Sequence, residues 1–165
     1  IIGPVRIIEK GFLDTLEIRD SILQADQYNL PDTKVDFKRV TLFGEIRIHT
    51  LTASDSFFCD NVTVLNEQQS CFRFSGSPAL HLLPKNYKAI ELSKKKSYFK
   101  SQRFGNPGYA QLHSFASEEV LRGGENGAEI GAFNSLINAV KSDNLKSKVN
   151  EYLPFGLIPT FIYHT

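Results

Sequence analysis

The amino-acid sequence predicts a mainly β protein, a parallel β-helix or β-solenoid with coils of about 16–19 residues and an amphipathic helix near its C-terminus. Three observations lead there. Short runs alternate apolar and polar residues with period two. The pattern of one run returns sixteen or nineteen residues away. No Asn-Gly or Asp-Gly hairpin turn occurs before residue 126. An antiparallel β-sandwich or barrel is the alternative architecture, and it would need such turns.

The alternating runs are Val5-Arg6-Ile7, Leu16-Glu17-Ile18, Val35-Asp36-Phe37, Ile46-Arg47-Ile48, Leu51-Thr52-Ala53, Val62-Thr63-Val64 and Cys71-Phe72-Arg73-Phe74. Period two gives a strand one buried face. Val35, Phe37, Ile46, Ile48, Leu51, Ala53, Phe58, Val62 and Val64 should therefore point inward, with Arg47 and Thr63 outward. The stretch Val35 to Ile48 matches Leu51 to Val64 position by position at an offset of sixteen, and Leu16–Leu23 precedes the second copy by nineteen. In this alignment Asp20-Ser21 coincides with Asp55-Ser56. Stacked coils whose inward side chains form ladders produce such a repeat.

The chain reads as a single domain, with a repeat-built body over 1–75, an irregular basic excursion over 76–96, and strand, helix and terminal strand over 97–165. Pro78, Pro84 and Lys94-Lys95-Lys96 mark the excursion. Ser97–Leu112 regains aromatic strand character around a Gly105-Asn106-Pro107-Gly108 turn. Ser117–Gly123 has the form of a short helix, with Ser as N-cap, acids in the first turn and Gly as the stop. A longer helix is expected over Asn134–Leu153, because Ile137, Val140, Leu145, Val149 and Tyr152 recur near helical spacing before Pro154; it would cover an end or flank of the solenoid. Leu157–Tyr163 reads as a last apolar strand.

At 165 residues, 41% hydrophobic and 22% charged, the chain is long and apolar enough to bury a core without staples, and it is not a disordered composition. No apolar run approaches the ~20 residues of a membrane-spanning helix. The absence of Met and the opening Ile1-Ile2-Gly3-Pro4 imply a piece of a longer polypeptide. Nothing at the start reads as a signal peptide. The compartment stays open, with a cytoplasmic or particle-associated setting favoured.

The net charge is +1, but residues 81–104 hold seven basic residues against one acidic. Lys94, Lys95, Lys96 and Arg103 interleave there with Tyr98, Phe99 and Phe104, the composition that tracks a phosphate backbone and stacks bases. A solvated lysine loop accounts for the same residues, so they are a candidate partner-binding set rather than a nucleic-acid site.

Cys59 and Cys71 lie twelve positions apart beside Phe58 and Phe72, with no His or Cys at metal-ligand spacing. They fit small buried hydrophobes with reduced thiols. The four histidines are scattered, and no nucleophile elbow, phosphate-cradling loop or metalloprotease helix is present. No catalytic, cofactor or metal residue is assigned. The most enzyme-like residues are Glu118, Glu119, Glu125 and Glu129 around a glycine turn, since paired carboxylates can act on sugars. Glu118 and Glu119 are already explained by a helix start. Asp20, Asp55 and Asp60, with Arg39 and Arg47, could line one outer face of a solenoid. Asp55, Glu125 and Glu129 are thus the candidate carbohydrate site.

The segments Gln69–Ser75, Phe99–Leu112 and Gly127–Phe133, with Asn144-Leu145 and Glu151–Leu157, resemble the C-terminal portion of large, mostly uncharacterised bacterial proteins associated with phage-tail-like or contractile-injection baseplate components. The resemblance spans nearly the whole chain and implies no catalytic residue. It implies a structural or interaction module closing a larger protein, whose partners are the preceding polypeptide or other subunits. A carbohydrate-binding or carbohydrate-cleaving β-helix is the alternative.

Overall fold

The computed structural model describes residues 14–83, 85–93 and 96–161. Its body is a right-through parallel β-solenoid. Strand β1 (Thr15–Ser54) is an unbroken extended run of 40 residues that winds through more than two coils. The chain continues through β2 (Phe57–Phe58), β3 (Val62–Val64), β4 (Cys71–Arg73), β5 (Gly76–Ser77), β6 (Asn86–Tyr87) and β7 (Ile90–Glu91). Every strand pair is parallel. Thr41 pairs with Phe57 and Ile46 with Val62 at an offset of sixteen; Ala53 pairs with Phe72 and Phe57 with Gly76 at nineteen; Phe72 pairs with Asn86 and Gly76 with Ile90 at fourteen. The antiparallel sandwich is excluded for these strands.

The inward set is as the alternation requires. Val35, Phe37, Ile46, Ile48, Leu51, Ala53, Phe58, Val62 and Val64 are all buried in one cluster, joined by Leu23, Val40, Leu42 and Phe72, while Arg47 and Thr63 are exposed. Each coil turns at a residue in the left-handed region: Asp20, Arg39, Asp55, Phe74 and Lys88 have φ of 47°, 56°, 51°, 47° and 48°. These corners fall at the same offsets as the strands. Asp tolerates that conformation better than most side chains; the coincident Asp-Ser pairs of the sequence are two of these corners.

The residue after the corner completes the turn. Ser21, Ser56 and Ser75 each donate their hydroxyl to the carbonyl two residues earlier, at 2.7, 2.9 and 2.8 Å. The Val40 N–H donates to Ser56 Oγ and the Ser56 N–H to Ser75 Oγ, so Ser56 and Ser75 each also tie their coil to the one before. Ser56→Ala should leave the buried Val40 N–H without a partner and lower stability by about 1–3 kcal/mol. Denaturant unfolding measures it, and a loss below a few tenths would mean that the ladder is decorative.

A second cluster lies outside the solenoid. Ile22, Phe43 and Phe57, from successive coils, are covered by Tyr98, Phe99, Tyr109, Ala110, Val120 and Ile130. Phe99 packs edge-on to Phe43 and Phe57, with centroids at 5.2 and 4.8 Å. Residues 97–133 are thus a strap laid along the flank. Its strand character is limited to the isolated bridges Phe99 to Leu112 and Ser101 to Tyr109, and Gly105, at φ +92°, lies in the expected turn.

Several expectations are corrected. Within the segment 76–96, the short strands β5, β6 and β7 carry the solenoid on as far as Glu91, with turns and a 3-10 turn over Leu80–Leu82 between them. The short helix α1 spans Glu118–Leu121. Ser117 makes no side-chain cap bond, and Gly123 follows it because a Cβ there would stand 2.0 Å from the Glu119 carbonyl oxygen. The long helix α2 spans Asn138–Tyr152, preceded by a 3-10 turn over Asn134–Leu136 and a left-handed Ile137. No α2 residue is buried, and Leu145 is 54% exposed. Of its apolar stripe, Val140 and Val149 are half-buried while Leu145 and Tyr152 are exposed, and the strap, not α2, covers the flank. Residues 157–161 form no strand; the remainder of that expected strand, and Val5-Arg6-Ile7, lie outside the described residues.

Both cysteines are free thiols, and Cys59 is half-buried. Burial pushes its thiol far above the ordinary range, and slow reaction with a thiol reagent is expected of it. Cys71 is exposed, because the alternation that turns Phe72 inward turns Cys71 outward.

Candidate functional site

The structure separates the carboxylates of the expected carbohydrate site. Asp55 is buried at a corner; its Oδ1 accepts the Glu125 N–H at 2.7 Å and its carbonyl accepts the Gly131 N–H at 2.8 Å. It anchors the strap's last loop and is structural. The side chain of Glu125 is exposed and lines a shallow groove with Phe74, Lys88 and Glu119. Glu129 faces a different hollow.

The outer-face residues also have local work. Arg39 grips Asp20 through two hydrogen bonds of 2.5 and 2.6 Å across adjacent coils, which holds the Asp20 carboxyl below the usual range. Asp60 accepts the Gly44 N–H at 3.0 Å. Of the basic and aromatic set, Lys94 and Lys95 lie outside the described residues. Lys96, Arg103 and Phe104 are exposed, whereas Tyr98 and Phe99 are buried in the flank cluster. Tyr98 also accepts the Ser93 N–H at 2.9 Å. The interleaving therefore does not make one exposed stacking surface.

A cleft of about 480 Å³ lies between the strap and α2. Lys100, Gln111 and Leu112 of the strap form one wall, Glu118 and Arg122 an end, and Asn138, Ser142, Asp143 and Lys146 of α2 the other wall, with Phe133 and Leu136 between. Glu129 lines it at only 5% exposure. Its Oε1 accepts the Asn138 side-chain amide at 2.9 Å. Burial pushes the Glu129 carboxyl above the usual range, opposed by the Asn138 amide and by Lys100. Arg122 is ion-paired with both Glu118 and Asp143, and the Arg122 guanidinium holds Asp143 low. α2 is thus pinned to the strap by two polar contacts.

The raised carboxyl has a sign that can be checked. The folded state binds the Glu129 proton more tightly than the unfolded chain, so stability falls as pH rises from the unfolded to the folded pKa, and the whole loss is present above that. Glu129→Gln should remove this slope and raise the neutral-pH melting temperature. Melts from about pH 4 to 8 read it; a variant with the parent's slope would contradict the assignment.

Sequence reasoning named Glu129 and Glu118 among its enzyme-like residues but not the other residues of this cleft. The glutamates around the glycine turn were a usable signal; Lys100, Asn138 and Asp143 carried none, because only the strap and α2 bring them together. Among the described residues, no three His, Cys, Asp or Glu side chains gather to hold a metal ion, and no helix is long and apolar enough to cross a membrane. Fold and site together define a β-solenoid with a flank strap and a mixed-charge cleft. No protein-family model matches the chain, and no curated protein or solved structure is significantly similar to it.

Proposed function

We propose that the chain is a non-catalytic structural and interaction module at the C-terminal end of a larger protein, docking within a phage-tail-like assembly. The observation that carries this reading is the surface at the end of α2 and just beyond it. Tyr152 and Ile158 are 86% and 90% exposed, Leu157 is exposed, and Phe155 is fully so. Single exposed apolar side chains are ordinary, but a run of them within one short segment favours a protein contact. The unburied stripe of α2 supports the same reading. The coil body supplies a stiff mount, and the assembly setting follows the resemblance drawn from the sequence. The partner is the preceding part of the polypeptide or another subunit.

The test is light scattering on the purified chain, alone over a concentration series and mixed with the other components of its parent particle. Association is expected, and it should be lost in Phe155→Ser/Ile158→Ser. A chain that stays monomeric and binds none of those components would sink the reading.

A further inference from the structure

We propose that the cleft between the strap and α2 binds a neutral oligosaccharide, with the free carboxyl oxygen of Glu129 hydrogen-bonded to a sugar hydroxyl. This does not rest on the docking reading, which concerns a different surface. Three features carry it. First, Glu129 is nine-tenths buried, yet among the described residues only one of its oxygens has a hydrogen-bond partner, the Asn138 amide. The other oxygen is not among the fully buried, unpartnered polar atoms, and the residue lines the cleft. A carboxyl oxygen that reaches a cleft from an otherwise buried, fixed residue is a recognition point, because a ligand hydroxyl can take the place of the water there.

Second, the cleft charges balance. Lys100, Arg122 and Lys146 face Glu118, Glu129 and Asp143, three of each sign. Arg122 is committed to Glu118 and Asp143, so it is not free to clamp a phosphate or carboxylate. The field favours neither a polyanion nor a polycation. Third, Leu112, Phe133 and Leu136 set apolar surface beside these polar groups. A pyranose ring has that same division, with hydroxyls at its edge and C–H groups on its faces.

The experiment titrates the chain with maltohexaose, cellohexaose, xylohexaose and chitohexaose, and with polygalacturonate as the anionic comparison, following backbone amide shifts. At least one neutral oligosaccharide should move amides of the strap and of the first turns of α2. Glu129→Gln would keep its amide oxygen on Asn138 and turn an NH2 toward the cleft, replacing an acceptor by a donor. It should stay folded and weaken binding by about tenfold or more. Glu125→Gln, on the other groove, should bind like the parent. The proposal is overturned if no neutral oligosaccharide binds, if polygalacturonate binds better than all of them, or if Glu125→Gln and not Glu129→Gln reduces affinity.

Discussion

Phe58→Ala is expected to lower the stability of the chain by about 3–5 kcal/mol, the range for emptying a fully buried aromatic site. Phe58 has no exposed surface, and its ring meets Phe37 and Phe72 at centroid distances of 6.0 and 5.6 Å. Phe72 pairs with the small Ala53 of the coil before, and Phe58 packs against Phe72 and Phe37 in the same buried cluster. No other side chain can close the hole, because the coils above and below are held by backbone hydrogen bonds. Phe58→Leu should lose distinctly less. Denaturant midpoints measure both, and a Phe58→Ala variant within 1 kcal/mol of the parent, taking ~1 kcal/mol as the resolution of such an argument, would show the column to be loosely packed.

Gly44→Ala should do comparable damage by another route. Gly44 has a φ of +111°, and a Cβ there would stand 1.8 Å from the backbone oxygen of Ala25 in the preceding coil. A flexible side chain could move aside; a carbonyl within a ladder cannot do so without separating the coils. Strained backbone and overpacking each contribute about 1–3 kcal/mol, and here they add. The Gly44 N–H would also be pulled from Asp60. Hydrogen exchange should show the loss concentrated in the first coil, residues 15–34. Unchanged protection there, with an unchanged midpoint, would contradict the close approach.

The inward face was legible because an alternation such as Ile46-Arg47-Ile48 states burial and direction at once, and the coil offsets were legible because parallel stacking brings like residues together. The solenoid beyond residue 75 was not. Strands such as Gly76–Ser77 and Asn86–Tyr87 are two residues long, too short to express a period, and they form only because β2 and β4 offer an edge. The strap was hidden for a related reason: Tyr98, Phe99 and Tyr109 are buried by Phe43 and Phe57, residues more than forty positions away. Spacing identified α2 as a helix but could not say whether its stripe had a partner. Cys71 was expected to be buried from its aromatic neighbour, but the alternation that turns Phe72 inward turns it outward. At the cleft, Glu129 was readable as a candidate acid, while its separation from Asp55 and Glu125 depends on how the loop after α1 is tied to the corner at Asp55.

The unequal coil offsets bear on how such a chain can change length. Ile48 pairs with Val64 at sixteen and Thr52 with Cys71 at nineteen, so three additional residues enter between Val64 and Cys71, at the turn through Asn66 and Gln69. The corners at Asp20 and Arg39 are likewise nineteen apart, against sixteen from Arg39 to Asp55. In the coil before the Asn66 turn, the corresponding edge is the tight passage through His49 and Thr50. That edge works as a reading-frame buffer: residues can be gained or lost there without altering which side chains meet inside. A three-residue insertion after His49 should therefore be absorbed as a surface loop, whereas the same insertion after Phe37 would shift each later side chain in that coil out of its column.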